Sequence, residues 1–363
     1  MPSVTVKLSK SGWLLVSEGG AVGPRAGDEE RPTLEDVAAF AGVSRSTASR
    51  ALNDDAYVSA AAREKVLAAA RDLGYSPNQA ARSLVTRRTG AIALVLSEPE
   101  DLLLDHYRTA VMKAGYRELA DVGRQMVLIF SDTREDLSKT VRFLEGGHVD
   151  GALVFAPHRA DPLPKALRLL RIPVVFGGQA AGIRRGVHVV DFDNEGGARL
   201  AVEHLVAAGR RRIATIAGPQ DQSAPIDRLA GWRKTLLDAG LDPADLAEEA
   251  DFTLSGGANA MSALLARRPD LDAVFVASDM MAVGALRTLD AAGRRIPDNV
   301  AVVSFDDNAT LAPAMDPPLT SVHQDPQEQV HAMVETLMQL LADQNLKPRQ
   351  QILPVSLAVR ASS

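Results

Sequence analysis

The sequence of 363 residues lacks cysteine altogether. Without thiols the chain can form neither a disulfide framework nor a thiolate metal site, which suits a reducing compartment. Aromatic residues make up only 4% of the chain, and its apolar runs are short. No run approaches the ~20 residues of a membrane helix, and residues 13–16 are too few for the apolar region of a secretory signal. These absences predict a cytoplasmic protein that does not enter a membrane.

Motifs that carry common enzyme chemistry are absent as well. The chain has no G-x-x-x-x-G-K-[ST] phosphate loop, no G-x-S-x-G nucleophile turn and no H-E-x-x-H metal pair. His148, His204 and His331 stand apart without metal-ligand spacing, so they are expected to be structural. Asp306 and Asp307 are adjacent at a predicted strand end, where they point in different directions and cannot readily flank one glycosidic bond. The sequence therefore predicts no enzyme, no cofactor and no bound metal.

Positive charge is also scarce, because the net charge of the chain is −6, which argues at first against a nucleic-acid partner. The distribution of charge points the other way. Residues 31–89 contain nine Lys or Arg and six Asp or Glu, which gives this block +3 and leaves −9 for the rest of the chain. Phosphate contacts need only such a local basic patch, and an acidic remainder limits nonspecific binding.

Residues 33–53, TLEDVAAFAGVSRSTASRALN, have the pattern of two short amphipathic helices around one tight turn. Thr33 is an N-cap with Asp36 three residues later, an acidic variant of the capping box. Gly42 can adopt the left-handed conformation that ends a helix, and Ser44 can cap the next one. Small and apolar residues fall on the facing sides of the two helices: Val37, Ala38, Ala41, Ala48, Ala51 and Leu52. The pattern predicts a helix-turn-helix.

The outward side of the second helix is polar and basic. Arginine can bridge the O6 and N7 atoms of guanine in the major groove, and hydroxyl groups can meet bases or phosphates. An ordinary helical hairpin with a solvated basic face is the alternative interpretation. Under the DNA-binding interpretation, the residues that contact or position DNA are Thr33, Ser44, Arg45, Ser46, Thr47, Ser49, Arg50 and Asn53.

A third helix is predicted after Ser59, in the segment AAAREKVLAAARDLG. Gly74 ends this helix, and its inner face is predicted to carry Val66, Leu67, Ala70 and Leu73. The segment that follows, YSPNQAARSL at residues 75–84, contains the pattern Y-x-P-N-x-x-A-x-x-L. Together with AGVSRSTASR and REKV upstream, it closely resembles the DNA-binding headpiece and hinge of the LacI/GalR family of bacterial transcription regulators.

The resemblance extends from Thr33 to near the C-terminus through phrases such as DFDNEGGARLAVEHL, IDRLAGWRKTLLDAG and FVASDMMAVGALRTLDAAG. It implies a repressor that binds double-stranded operator DNA of approximately palindromic sequence as a homodimer, with its affinity controlled by a small molecule. In the hinge, Asn78 would cap a short helix, Ala81 would allow close contact across the dimer axis, and Leu84 would wedge into the minor groove. The effector is expected to be a sugar or an oligosaccharide.

Residues 90–363 alternate short apolar runs with helical patterns. Such alternation predicts an α/β fold of parallel sheets with helices on both faces and ligands at the carboxyl ends of strands. A break near residues 189–193 suggests a second lobe, and the resemblance implies a two-lobed, periplasmic-binding-protein-like core with a ligand cleft between the lobes. The predicted strands are 91–96, 126–130, 152–155, 174–176, 187–190, 213–217, 273–277 and 300–305.

The predicted chain has four parts. Residues 1–30 are rich in Gly and Ser and show no sustained periodicity, which predicts a disordered extension without an assigned role. Residues 31–76 form the all-α helix-turn-helix headpiece, and residues 77–89 form the hinge helix and linker. Residues 90–363 form the core that binds the effector and dimerises.

Polar and aromatic side chains near predicted strand ends are the candidates for effector contact. Asp306 matches the effector-contacting acid of the family, whereas Asp279 and Asp193 could touch the ligand or only cap helices. Tyr107 could stack on a pyranose ring or serve only as a packing residue. The complete set of candidates is Ser97, Tyr107, Asp193, Arg228, Phe252, Asp279, Asp306 and Gln324.

Two positions depart from galactoside-binding members of the family. Ile226 stands where such a member has a cleft arginine, and Gly178 stands where it has an inducer-contacting aspartate. Arg228 could replace the missing cation, but a step of one residue rotates a helical side chain by about 100°, so it could equally face away. The identity of the effector, and whether it induces or corepresses, therefore stays open. A solute-binding protein is the weaker alternative, because it would have no use for a headpiece.

Overall fold

The computed structural model divides into two compact units, residues 1–86 and 87–363. The residues that it describes are 6–9, 12–15, 32–52, 57–76, 88–96, 106–131, 134–155, 163–167, 169–170, 172–179, 186–343 and 345–363. Five of the predicted site residues lie outside this set: Asn53, Asn78, Ala81, Leu84 and Ser97.

An antiparallel hairpin lies within residues 1–30, which the sequence predicts to be disordered. Strand β1 (Val6–Ser9) pairs with strand β2 (Gly12–Leu15), and Ser9 lies opposite Gly12. The prediction missed a local pattern, because Val4, Val6 and Leu8 alternate with polar residues at the period of a strand. Two strands of four residues are too short to register as sustained periodicity.

Three helices form the headpiece: α1 (Leu34–Ala41), α2 (Arg45–Leu52) and α3 (Ala60–Asp72). Their common core consists largely of alanine, which lets the helices approach closely, and its buried members are Val37, Ala38, Ala48, Ala51, Val66, Ala69 and Ala70. The prediction that Leu67 faces inward is wrong, because its side chain is 40% exposed. Ala69 takes its place, since Val66, Ala69 and Ala70 form an i, i+3, i+4 stripe from which Leu67 is rotated by about 100°.

The second unit contains two six-stranded sheets. Its strands are β3 (Ala91–Leu96), β4 (Gln125–Phe130), β5 (Gly151–Phe155), β6 (Val174–Gly177), β7 (His188–Phe192), β8 (Ile213–Ala217), β9 (Ala247–Glu249), β10 (Ala273–Val276), β11 (Ala301–Asp306), β12 (Thr320–His323), β13 (Gln350–Leu353) and β14 (Ser356–Ala358). The sheet of the first lobe has the order β13-β7-β6-β5-β3-β4, with parallel neighbours. The sheet of the second lobe has the order β14-β12-β11-β10-β8-β9, and β14 is its antiparallel strand.

Helices cover the two sheets. Those of the first lobe are α4 (His106–Asp121), α5 (Arg134–Glu145), α6 (Leu163–Leu167) and α12 (Pro326–Ala342). Those of the second lobe are α7 (Asn194–Ala207), α8 (Ser223–Asp238), α9 (Leu254–Arg267), α10 (Asp279–Ala291) and α11 (Leu311–Ala314). Every residue of β5, β7 and β8 is buried, as expected for central parallel strands with helices on both faces.

The chain passes between the two lobes at three places. It leaves the first lobe between β7 and α7, returns between β12 and α12, and crosses again between β13 and β14. The first crossing lies at Asp193, so the predicted break near residues 189–193 is confirmed. Crossings on one side of the lobes leave a cleft where the carboxyl ends of both sheets meet, the expected ligand position. Within the described ranges, no helix combines the length and apolarity that crossing a membrane requires.

Candidate functional site

Side-chain caps fix the two helices of the helix-turn-helix. Thr33 Oγ1 accepts from Asp36 N at 3.3 Å, and Asp36 Oδ2 accepts from Thr33 N at 2.8 Å, which is the predicted reciprocal capping box. These hydrogen bonds from Thr33 lower the pKa of Asp36. Gly42 ends α1 with φ of 65°, and Ser44 Oγ accepts from Thr47 N at 3.1 Å at the start of α2. Thr33 and Ser44 thus fix where α1 and α2 begin.

The outward face of α2 presents the predicted DNA contacts to solvent. Arg45, Ser46 and Arg50 are exposed, while Thr47 and Ser49 are partly buried. Arg45 Nε lies 2.6 Å from Glu35 Oε1 on α1, and both side chains are more than half exposed. An ion pair between exposed groups contributes little, at most about 1 kcal/mol, so this arginine can exchange its partner for DNA.

A cavity of about 360 Å³ opens between the two lobes of the core at the carboxyl ends of the strands. That volume lies within the range of small-molecule sites, ~300–1,000 Å³. Of the predicted effector contacts that the structure describes, six line the cavity: Tyr107, Arg228, Phe252, Asp279, Asp306 and Gln324. Asp193 does not, because it is exposed and its Oδ1 accepts from Gly196 N at 2.9 Å as the N-cap of α7.

Arg228 faces the cavity, which answers the question that helix geometry left open. Its side chain is 6% exposed, its Nε donates to Asn194 Oδ1 at 2.8 Å, and its Nη1 donates to the Ala277 carbonyl at 2.6 Å. Its guanidinium lies 3.5 Å from the centre of the Phe305 ring, a cation–π contact. Burial lowers the pKa of Arg228 and the nearby Asp306 carboxylate opposes that shift, but a guanidinium keeps its charge in proteins.

Asp306 is the carboxylate that this guanidinium faces. Arg228 Nη1 lies 3.7 Å from Asp306 Oδ1, and Gln324 Nε2 donates to the same oxygen at 2.7 Å. The backbone of Asp306 has φ of 109°, a conformation that residues other than glycine rarely adopt. Strain of this kind, which costs of order 1–3 kcal/mol, tends to occur where it aims a functional group.

Asp279 lies beneath Asp306 and is itself buried. The sequence suggested Asp279 as the cap of α10, but Ser278 is the N-cap and Asp279 is the first helical residue. Its carboxylate accepts from Ser304 Oγ at 2.5 Å, Ser321 Oγ at 2.8 Å and Asn308 N at 2.7 Å. Burial raises the pKa of Asp279, and these donors oppose the shift. Asp279 therefore supports the loop after β11 as well as lining the cavity.

Asp191 is a cavity residue that the sequence did not single out. It lies two residues before the predicted candidate Asp193 and is only 4% exposed. Its carboxylate accepts hydrogen bonds from Phe192 N at 2.8 Å, Gln179 N at 3.1 Å and Asn194 Nδ2 at 3.2 Å. Burial raises the pKa of Asp191 to about 6. The D-x-D-N phrase contained both acids and could have pointed to either of them.

Two aromatic side chains line opposite lobes of the cavity. Tyr107 on α4 donates from its hydroxyl to Gln329 Oε1 on α12, so its ring is held within the first lobe. Phe252 in the second lobe has φ of 65°, and its ring packs against Gly218, where any Cβ would lie 2.4 Å from the ring. Both rings are placed where a pyranose could stack on them.

A row of three contacting side chains in the second lobe ends at the cavity. Arg360 Nη2 lies 2.7 Å from Asp307 Oδ1, and His323 Nδ1 lies 3.1 Å from Asp307 Oδ2. Asp307 is 12% exposed, whereas the His323 side chain is 48% exposed at the cavity wall. The carboxylate favours a proton on Nδ1, which turns Nε2 away from it. Sequence reasoning missed His323, which no motif distinguishes.

The three histidines that the sequence predicts to be structural each contact another side chain. His148 stacks on Phe143 at 4.8 Å, His204 Nε2 lies 2.9 Å from Ser363 Oγ, and His331 Nδ1 lies 2.7 Å from Glu118 Oε2. In the part of the chain that the structure describes, no group of three acidic, His or Cys side chains is arranged to hold a metal ion.

Comparison with known proteins agrees with this architecture. A family model described as bacterial regulatory proteins, lacI family, matches residues 33–78, and a model described as a periplasmic binding protein-like domain matches residues 202–363. The HTH-type transcriptional regulator CelR of Thermobifida fusca is 45% identical over 336 residues, which cover 92% of this chain and 98% of CelR. The chain belongs to the lacI family.

Solved structures of the family have the same fold. A CelR–cellobiose complex gives a TM-score of 0.73 at 42% identity, covering 92% of this chain and 100% of that one. A lac repressor dimer bound to operator and the anti-inducer ONPF gives a TM-score of 0.82 at 32% identity, covering 92% and 99%. The chain is a DNA-binding transcriptional regulator of the sugar-responsive repressor type, which confirms the resemblance inferred from its motifs.

Proposed function

We propose that this regulator binds a neutral β-linked disaccharide, with cellobiose as the leading candidate, in the cleft between its core lobes. The observation that carries this proposal is the pairing of Arg228 with Asp306 and Gln324 at the centre of the cleft. Such an array offers acceptors and donors to hydroxyl groups while its charges offset one another. The 45% identity with CelR of Thermobifida fusca and the 42% identity with a solved CelR–cellobiose complex favour that sugar.

The charge of the cleft favours a neutral ligand over a sugar phosphate. Five aspartates line it, against two arginines, Arg108 and Arg228. Arg228 already lies 3.7 Å from Asp306, and Arg360 just behind the wall lies 2.7 Å from Asp307. An anionic ligand would have to compete with carboxylates for these guanidinium groups, whereas sugar hydroxyls can donate to the carboxylates directly.

The proposal extends the DNA-binding activity to a homodimer on an approximately palindromic operator, within the cytoplasm. A single headpiece presents one α2 face, with Arg45, Ser46 and Arg50 as its exposed polar residues. One such face reads only a few base pairs, so two faces related by a two-fold axis are needed for a specific site. The hinge contacts of Asn78, Ala81 and Leu84, and the contacts of Asn53 and Ser97, remain part of this proposal as the sequence predicts them.

The effector assignment is tested by titrating the full-length protein calorimetrically with cellobiose, lactose, glucose and glucose 6-phosphate. We expect cellobiose to bind with the highest affinity and glucose 6-phosphate with the lowest. Asp306→Asn should weaken cellobiose binding about ten- to a hundredfold, the range for one hydrogen bond to a charged group. Asp193→Asn is the matched control, because Asp193 is an exposed helix cap that does not line the cavity, and it should change affinity much less. Preferential binding of glucose 6-phosphate, or equal losses in both variants, would overturn the assignment.

The DNA half of the proposal is tested on an operator selected from random duplexes by the wild-type protein. Arg50→Ala should weaken binding by about 1–3 kcal/mol if this arginine contacts a base or phosphate in bidentate fashion. Addition of cellobiose should change the operator affinity of the wild type but not that of Asp306→Asn at the same sugar concentration. A selected site without two-fold symmetry would contradict the dimeric operator.

A further inference from the structure

Asp150 holds the chain at the point where it enters the core from the linker. Its Oδ1 accepts from Thr89 N at 2.6 Å and from Thr89 Oγ1 at 2.9 Å, and its Oδ2 accepts from Gly90 N at 3.0 Å. Arg124 Nη1 lies 3.0 Å from the same Oδ2. The Asp150 side chain is only 5% exposed, so four donors surround one carboxylate that is largely withdrawn from water.

The neighbouring residues of the linker are fixed from other directions as well. Arg88 Nη2 donates to the Leu341 carbonyl near the end of α12 at 3.1 Å. Gly90 has φ of 75°, and its carbonyl accepts from Gln125 N at 2.9 Å. The last residues of the linker are therefore tied to three elements of the first lobe before β3 begins.

The second lobe contains the same device in a different context. Asp272 stands before β10 as Asp150 stands before β5, and it accepts from Arg211 N at 3.1 Å and Arg212 N at 2.9 Å before β8. Arg212 Nη2 lies 3.3 Å from its other oxygen. There the clamped segment joins α7 to β8 within one lobe, so the clamp can only secure a strand start. In the first lobe, the clamped segment is the end of the linker itself.

We propose that Asp150 is a positioning residue for operator binding, which acts by fixing the direction and anchor point of the linker on the first lobe. A linker with a fixed origin has fewer conformations to lose when its hinge and headpiece settle on DNA. Any shift of the first lobe is also passed to the linker through a buried carboxylate rather than through a flexible joint. The proposal concerns the strength of operator binding and does not depend on which effector is used.

The test compares Asp150→Asn with Asp272→Asn in the full-length protein. Each variant removes one negative charge and turns an amide NH₂ toward backbone donors, so their general effects on folding and charge are matched. Operator affinity is measured without effector by fluorescence anisotropy on the selected operator and on a scrambled duplex. We expect Asp150→Asn to weaken operator binding roughly two- to tenfold relative to Asp272→Asn, the range for loss of one or a few ordered groups.

Affinity for the scrambled duplex should stay equal between the two variants, because nonspecific binding is mainly electrostatic. Equal operator affinities in the two variants would overturn the proposal, and so would equal losses on both duplexes.

If Asp150→Asn does not fold, Thr89→Ala takes its place in the test. It keeps the backbone donors and removes one hydroxyl donor, and it should weaken operator binding by a smaller factor in the same direction, whereas no change would count against the anchor.

Discussion

The two core lobes share one strand order, but their equivalent strand ends carry different side chains. Strand β6 of the first lobe and strand β11 of the second occupy the same place in their sheets, and both are followed by backbone of positive φ. In the first lobe the strand ends at Gly177, and Gly178 after it has φ of 91°. In the second lobe the strand ends at Asp306 and Asp307 follows, with φ of 109° and 50°. These equivalent strand ends thus carry no side chain on one side of the cleft and two carboxylates on the other.

The two strand ends differ in what they offer a ligand, because the glycines of the first lobe leave space and the aspartates of the second lobe provide polar groups. A Cβ at Gly177 would lie 2.6 Å from the Phe155 ring and 2.9 Å from the Met333 sulfur, so the first lobe accepts only a bare backbone there. The second lobe instead tolerates strain to aim Asp306 at the cleft, where Arg228 and Gln324 complete a polar centre. The first lobe adds Tyr107 to the cleft and holds residues 89 and 90 through Asp150, while the second lobe supplies most of the charge.

Replacing Arg228, the buried cation of the second lobe, should lower the free energy of unfolding by more than any other change considered below. Arg228→Met keeps much of the side-chain length but leaves Asp306 facing Gln324 without its guanidinium partner. Removing one member of a buried pair costs about 3–5 kcal/mol, and we expect about 3 because Asp306 is 25% exposed. Chemical denaturation of the full-length protein measures this change. The double variant Arg228→Met with Asp306→Asn should recover part of the loss, and no recovery would mean that packing on Phe305 is the main role of Arg228.

Local patterns in the sequence predict most of the helices, turns and strands, but they do not predict which way individual side chains face. The capping box at Thr33, the turn at Gly42 and the strands of the core depend on short-range chemistry, which the sequence displays directly. Whether Arg228 faced the cleft depended on the rotation of α8, which the packing of that helix against α7 and β8 sets. Tertiary packing, and no local motif, decided that question.

The acids near the first crossing illustrate the same limit at smaller scale. Asp191 and Asp193 would share a face if the strand continued, because alternate residues of a strand point the same way. The strand ends at Phe192 and α7 begins at Asn194, so Asp193 becomes an exposed cap while Asp191 stays in the cleft. The position of this boundary therefore decides which acid lines the cleft, and the sequence does not determine boundaries that closely.

The ionisation of Asp191, which lies in the first lobe, should make the free energy of unfolding depend on pH, by less than the effect of replacing Arg228. Burial raises the pKa of Asp191 from 3.8 to about 6, so its ionised form is disfavoured in the folded protein. Its contribution to the free energy of unfolding is fully present below about pH 4 and is lost as the pH rises through about 6. The stability of Asp191→Asn relative to the wild type should therefore rise by on the order of 1–2 kcal/mol between pH 5 and pH 8.

Urea denaturation at several pH values measures this difference. The control is Ile216→Val, which removes a buried methylene and no titratable group. Its stability relative to the wild type should be the same at pH 5 and pH 8. A difference between Asp191→Asn and wild type that is equally flat would show that Asp191 keeps an ordinary pKa in the cleft.

The smallest expected effect contrasts a histidine of each lobe at the rim of the same cavity. His323 in the second lobe is oriented by Asp307, which Arg360 holds in turn, whereas His106 is an exposed residue at the start of α4 in the first lobe. An oriented imidazole with its Nε2 turned away from the carboxylate can accept a hydrogen bond from a sugar hydroxyl at little entropic cost, while an imidazole at an exposed helix start must first be ordered. His323→Ala should therefore weaken cellobiose binding about three- to tenfold, the effect of a single neutral hydrogen bond, and His106→Ala should weaken it less.

Calorimetric titration of both variants with cellobiose measures this contrast in affinity. If His106→Ala proved the more damaging change, the first lobe would contribute more to recognition than its bare glycine turn suggests, and the division of work between the lobes would have to be redrawn.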